Sequence, residues 1–126
     1  MKVMEAGENY LETILMEQKT HGQVRSVDIA NALGYSRPTV CVVMKQFRED
    51  DYIEIDQTGY ITLTVKGREI AERMYERHTI IAEMLIALGV DEKTALTDSC
   101  KIEHDISEKT FDCIKEHYKK FKAGHA

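Results

Sequence analysis

The apolar residues of this 126-residue chain fall into two rhythms, and the order of the rhythms outlines a fold. Over residues 5–18 the period is helical: Leu11, Ile14, Leu15 and Gln18 share a face, and Gly7 alone interrupts the first turn. Glu8 and Glu12 stand four apart and Asn9 and Glu12 three apart, so one flank of this helix carries oxygen donors. Glu8 reads as its solvated edge. Residues 20–23 form a turn. Ser26 then caps a short helix over residues 27–33, with Ile29, Ala30 and Leu33 facing inward, and Gly34 ends it. Ser36 caps the next helix, with Pro38 in its first turn. That helix runs through Val40, Val43, Met44 and Phe47 to about Asp50. Two short helices joined by residues 33–36 make a helix-turn-helix.

The rhythm then changes to period two. Residues 52–55 and 60–63 alternate, with Asp56, Gln57, Thr58 and Gly59 between them, which predicts a β-hairpin. A hairpin directly after a helix-turn-helix is a wing. Thr64 caps a long helix over residues 65–88. Its stripe of Ile70, Met74, His78, Ile81 and Leu85 is apolar except for the histidine. Gly89 stops that helix. Asp91 caps the next, which carries Cys100, Glu103 and His104, and Ser107 caps a last one with Phe111, Ile114 and Tyr118 on one face. The basic tail over residues 119–126 reads as frayed. The pattern predicts a mainly α fold with a small β-hairpin wing, a winged helix-turn-helix followed by a helical region.

Composition narrows the class. Apolar residues make up 43% of the chain and charged residues 31%, an ordinary globular balance. No apolar run approaches 18 residues, and residues 1–12 are polar and acidic, so a cytoplasmic protein is expected, with no membrane partner. Cys41, Cys100 and Cys113 are odd in number and widely spaced, which argues against a disulfide scaffold. The net charge of −5 does not by itself suggest nucleic acid. Between Gln23 and Arg48, however, four cations (Arg25, Arg37, Lys45, Arg48) face Asp28 alone. The acidic run Glu49, Asp50, Asp51, Glu54 and Asp56 follows at once, so tight DNA binding calls for a bound cation or a dimer.

On a helix Cys100, Glu103 and His104 share a face. Sulfur, oxygen and nitrogen together suit a first-row transition metal, whereas calcium and magnesium take oxygen alone. Taken singly, His78 fits a satisfied core histidine, and Cys100 a small buried hydrophobe. Glu103 changes that balance, because a carboxylate on that face needs a partner. Cys41 reads as a small residue on the core side of its helix, with a thiol redox sensor as the alternative, and Cys113 as packing. An enzyme is not expected: the chain has no H-E-x-x-H, C-x-x-C, phosphate-cradling glycine loop or G-x-S-x-G, and little room for a cleft or a small organic substrate.

These residues resemble the DtxR/MntR family of metal-dependent transcriptional repressors. The similarity runs from Glu8-Asn9-Tyr10-Leu11-Glu12 through Val27-Asp28-Ile29-Ala30 and Ser36-Arg37-Pro38-Thr39-Val40 to Cys100-Lys101-Ile102-Glu103-His104. The specific part is the C-x-x-E-H run with Arg77-His78 upstream. The resemblance implies a homodimer on a double-stranded DNA operator, with a winged helix over residues 1–70 and a helical metal-binding and dimerisation region over residues 71–126. It implies metal ligands at Asn9, Glu12, His78, Cys100, Glu103 and His104 in the pattern of the manganese branch, and in that of the iron branch a primary site at Asn9, Cys100, Glu103 and His104 with His78 in an ancillary site. Asn9 stands where the manganese branch has aspartate and the iron branch methionine. Cys100 is the iron-branch choice and Glu12 the manganese-branch one. Ala82 and Leu96 occupy ancillary ligand positions of the iron branch, and a short two-domain form without the SH3-like third domain common in that branch is expected. The thiolate favours Fe²⁺, with Mn²⁺ close behind and Co²⁺, Ni²⁺ or Zn²⁺ able to enter in vitro.

The expected function is metal-dependent repression of metal-homeostasis genes. In that mechanism the metal ties the first helix to the second lobe and sets the spacing of the two winged helices in the dimer. Ser36, Arg37, Pro38 and Thr39 are expected at base edges and thymine methyl groups, with a phosphate as the alternative for Arg37, and Lys45 and the wing near Thr58 at phosphates. The alternatives are a thiol-redox regulator built on Cys41 or Cys100, and a winged helix used only for protein contacts.

Overall fold

In the computed structural model the described residues are 5–124. The first four residues of the acidic N-terminal segment and the last two of the basic tail lie outside them. The elements run α1 (Glu5–His21), α2 (Ser26–Leu33), α3 (Arg37–Glu49), β1 (Ile53–Ile55), β2 (Ile61–Leu63), α4 (Val65–Ala87), α5 (Glu92–Asp105) and α6 (Glu108–Gly124). The chain divides into two compact units, Met1–Arg73 and Met74–Ala126.

The first unit is a winged helix. Leu11, Ile14 and Leu15 of α1, Ile29 and Ala30 of α2, and Val40, Met44 and Phe47 of α3 are buried. The Phe47 ring meets Tyr10 and Tyr52 edge-on, at centroid distances of 6.2 and 5.9 Å. Gly34 closes α2 in the left-handed conformation (φ 72°), and the Tyr35 N–H reaches back to the Ala30 carbonyl. Ser36 caps α3 as expected, accepting from the Thr39 N–H at 3.3 Å. The hairpin pairs Ile53 with Leu63 and Ile55 with Ile61 in antiparallel register. At its tip the Asp56 carboxylate accepts from the Thr58 N–H, the Thr58 hydroxyl and the Tyr60 N–H. These bonds hold the Asp56 carboxyl below its ordinary pKa. Thr64 caps α4 through the Gly67 N–H. A Cβ on Gly67 would collide with the Tyr52 carbonyl oxygen, so the start of α4 packs on the wing only as glycine.

In the second unit the Asp91 carboxylate caps α5 through the Thr94 N–H, and the Ser107 hydroxyl caps α6 through the Thr110 N–H. Ala95, Ser99 and Glu103 form the buried row of α5, and Phe111 is the buried anchor of α6.

Several expectations are corrected. Helix α1 continues through the expected turn to His21. Ser26 is the first residue of α2 rather than its cap; Arg25 holds that position, and its N–H donates to the Asp28 carboxylate at 2.8 Å. Helix α6 extends through the basic tail as far as Gly124. Cys41 and Cys113 are exposed, not packed. Glu8 is partly shielded, 3.9 Å from Arg73, rather than freely solvated.

Candidate functional site

Glu103 is the centre of the second unit. The row of Ala95, Ser99 and Glu103, spaced four apart, points it inward, where its exposure falls to 0%. Both ends of the residue are held. Its backbone carbonyl accepts from Arg77 Nη1 at 3.0 Å, and the same nitrogen reaches the Ile106 carbonyl at 3.0 Å. Its carboxylate lies between two imidazoles, with Oε2 3.1 Å from His78 Nδ1 and Oε1 3.3 Å from His104 Nε2.

Helix α4 supplies Arg77 and His78 as neighbours in sequence. Arg77 is a buried cation whose charge faces two carbonyls at the C-terminal end of α5 and the Phe111 ring at 5.3 Å. His78 Nδ1 faces the Glu103 carboxylate, the Cys100 sulfur at 3.6 Å and the Ser99 hydroxyl at 3.3 Å. The Ser99 hydroxyl donates to the His78 backbone carbonyl at 2.7 Å, which fixes the turn that carries the ring. Hydrogen bonds to Cys100 and to Glu103 outweigh the opposing effect of burial and push the His78 pKa up to about 10.

The donor set fits a transition metal. Nitrogen of His78, sulfur of Cys100 and oxygen of Glu103 all lie within 4.8 Å of one another. Donors on a four-coordinate ion with bonds of ~2.1–2.3 Å stand about 3.5 Å apart, so small side-chain movements close the shell. Cys100 is exposed and forms the solvent rim, while Glu103 forms the floor.

Of the six expected ligands, the second unit brings together His78, Cys100, Glu103 and His104. Asn9 and Glu12 lie one turn apart on α1 in the first unit; Glu12 is buried and Asn9 partly so. Ser99 and Arg77, which hold His78 and Glu103, were not singled out by spacing. For Ser99 the signal was present, four residues from both Ala95 and Glu103.

Ser36, Arg37, Pro38, Thr39, Lys45 and Thr58 are all exposed. The Ser36 and Thr39 hydroxyls pair with each other at 2.7 Å. Thr58 spends both its N–H and its hydroxyl proton on Asp56, so the wing tip offers a phosphate less than its sequence suggests. Arg25 stacks over the Tyr60 ring at 4.5 Å, which brings a further cation to the hairpin.

Residues 2–60 match the family described as iron dependent repressor, N-terminal DNA binding domain, and residues 64–124 its metal binding and dimerisation domain. The chain belongs to the iron-dependent repressor family. Its members are metal-dependent transcriptional repressors rather than enzymes. The transcriptional regulator MntR of Escherichia coli O157:H7 is 34% identical over 108 residues, covering 86% of this chain and 70% of that protein. The HTH-type transcriptional regulator MntR of Bacillus subtilis is 33% identical over 107 residues, covering 85% and 75%. An uncharacterized HTH-type regulator of Methanocaldococcus jannaschii is 32% identical over 117 residues, covering 91% and 94%. Among solved structures, a manganese-dependent transcriptional repressor in complex with manganese superposes with a TM-score of 0.80 at 24% identity, over 89% of this chain and 52% of that one. The manganese regulator SloR gives 0.76 at 22% identity, over 94% and 55%. The chain thus spans about half the length of these structural neighbours, which share the winged-helix fold. No helix among the described residues is long and apolar enough to cross a membrane.

Proposed function

We propose that this repressor senses Fe²⁺ through a centre built on His78, Cys100, Glu103 and His104, and that the loaded homodimer binds an operator at metal-homeostasis genes. The observation that carries this reading is the convergence of sulfur, nitrogen and oxygen donors on the buried Glu103 carboxylate. The relatives are manganese regulators by name. The thiolate donor is what argues for a softer ion here, because sulfur ligands favour metals later in the first-row series than Mn²⁺. The family pattern adds Asn9 and Glu12 of α1 as further ligands. In this reading metal selects one spacing of the two winged helices of the dimer, the one that places both α3 helices in successive major grooves. The ion supplies the charge that links the donors; Arg77 and Ser99 hold those donors in place.

The test is duplex binding by the full chain, titrated anaerobically with Fe²⁺ and separately with Mn²⁺. Fe²⁺ should stimulate binding at a lower concentration than Mn²⁺. Glu103→Gln should weaken metal-stimulated binding by at least about 100-fold, beyond what loss of an outer contact costs. Glu12→Gln should weaken it in the same assay without removing metal from the second unit. Unchanged stimulation in Glu103→Gln sinks the site, and a preference for Mn²⁺ sinks the choice of metal. Binding that ignores metal and is lost on peroxide treatment would favour a thiol switch instead.

A further inference from the structure

The residue types of Cys100-Lys101-Ile102-Glu103-His104 occur a second time, in the last helix, as Cys113-Ile114-Lys115-Glu116-His117. The two copies sit differently in the fold. In α5 the glutamate is fully buried. In α6 the inward side is Phe111, Ile114, Lys115 and Tyr118, with Lys115 donating to Glu76 at 2.9 Å. Cys113, Glu116 and His117 are all exposed. Spacings of three and four residues set these three side chains on one face, as neighbours over successive turns. Asp112 borders them, Lys109 and Lys120 stand at the two ends, and the whole patch lines one shallow surface depression. Among the described residues Cys113, Glu116 and His117 make no side-chain hydrogen bond, so the fold itself has no use for them.

We propose that Cys113, Glu116 and His117 form a second metal site, on the outer surface of α6, for a thiophilic divalent ion of which Zn²⁺ is the type. It is separate from the buried centre and goes beyond the function proposed above. Ligands four residues apart on one helical face can share a zinc ion, and thiolate, imidazole and carboxylate are the donors zinc takes. Three protein donors leave a fourth position for water. Charge narrows the class of ion. Asp112 and Glu116 are offset by Lys109 and Lys120, so the patch lacks the excess of carboxylates that calcium and magnesium need. Sulfur and nitrogen must hold the ion instead. The site has no shaped cavity to reject a wrong ion, so the ordinary order of affinities decides, with Zn²⁺ and Co²⁺ ahead of Fe²⁺ and Mn²⁺. Among the described residues the donor atoms of the buried centre are drawn together and those of α6 are not. The α6 side chains must therefore be ordered by the ion, and their site fills after the buried one.

The test is an anaerobic Co²⁺ titration of the full chain, stripped of metal and with its thiols reduced. Cobalt bound through sulfur absorbs in the near ultraviolet, so each thiolate centre reports itself. The wild-type chain should show this band for a first equivalent and again for a second, weaker one. Cys113→Ser should lose the second signal and keep the first. Cys100→Ser should do the reverse. Glu116→Gln and His117→Gln should each weaken the second equivalent by at least about tenfold, the least that loss of even an outer partner costs a metal site. Zn²⁺ should bleach the second signal and Mn²⁺ should not. All three α6 residues are exposed, so their variants should fold normally. A single equivalent in the wild-type chain overturns the proposal. So does a second signal that survives Cys113→Ser, which would place it at the exposed Cys41. A second signal indifferent to both Glu116→Gln and His117→Gln would be a thiol acting alone, and also overturns it. Loss of both signals in Cys100→Ser would leave no independent site on α6.

Discussion

In the first unit the side chains most completely removed from water are Leu11, Ile14, Leu15, Val24, Ile29, Val40, Met44, Ile53 and Ile61. In the second they include Met74, Ser99 and Glu103, with Phe111, Ile81, Ala82 and the charged Arg77 following. Glu12 and Thr13 are the buried polar exceptions of the first unit. An apolar interior depends on shape, since each contact is weak and their sum follows the fit. A polar interior depends on charge balance, since a carboxylate is tolerated out of water only beside a cation or a metal. The interior of the winged helix is thus set mainly by packing, with Glu12 as its buried carboxylate. The second unit keeps a polar centre in which the Glu103 carboxylate faces the imidazoles of His78 and His104.

The largest test of that contrast is pH. The His78 pKa is raised to about 10 by its hydrogen bonds to Cys100 and Glu103. A raised pKa means that the protonated ring stabilises the metal-free fold. That stabilisation is fully present below the ordinary value near 6.5 and is lost as pH rises through about 10. Metal must displace the same proton, so its affinity moves the other way. It should rise by about tenfold per pH unit for this one proton between about pH 6.5 and 9. Metal titrations at several pH values check the slope, and His78→Gln should lower it by one proton. An unaltered slope would show that His78 does not exchange its proton for the ion.

Two substitutions of similar size then separate shape from charge. Arg77→Met keeps apolar bulk beside Phe111 but strips the Glu103 and Ile106 carbonyls of their donor. It should cost about 3 kcal/mol of unfolding free energy, felt in the second unit. Arg77→Lys should recover part of that loss. Gly67→Ala adds one methyl against the Tyr52 carbonyl and should cost about 2 kcal/mol, felt at the wing. Hydrogen exchange resolved along the chain locates each loss. If Gly67→Ala loosened α5 and Arg77→Met the hairpin, the assignment of shape to one unit and charge to the other would fail.

What could be read beforehand follows from how local each cause is. Ser36, Thr64, Asp91 and Ser107 were legible as caps because a cap is made by residues three apart. Ser26 misled because Arg25 and Asp28 satisfy that helix start between their own backbone and side chain. The face of Cys100, Glu103 and His104 was legible from helical spacing. The closeness of His78 to it was not, since that depends on how α4 meets α5, which only the resemblance implied. Arg77 was legible only as the neighbour of His78, because nothing local shows that two carbonyls of α5 await it. Cys41 was placed on the wrong side of α3: Val40 and Met44 set the buried stripe, and one residue of helix turns a side chain by about 100°.

The smallest effect bears on the first unit and asks whether shape alone governs it. Ser36 accepts the Thr39 N–H at 3.3 Å, a long bond, so its capping value should sit at the low end of the range. Ser36→Ala should cost about 0.5 kcal/mol and lower the melting midpoint of the winged helix by about 2–4 °C. Ser36→Asn caps about as well as serine and should restore the midpoint. The two variants also separate the cap from any contact with a base edge. If Ser36→Asn recovers both stability and operator affinity, the hydroxyl matters only because it starts α3 in the right place. If stability returns and affinity does not, the hydroxyl touches DNA. The start of α3 would then be set by recognition as well as by packing, and the contrast between the units would hold for their interiors but not for this surface.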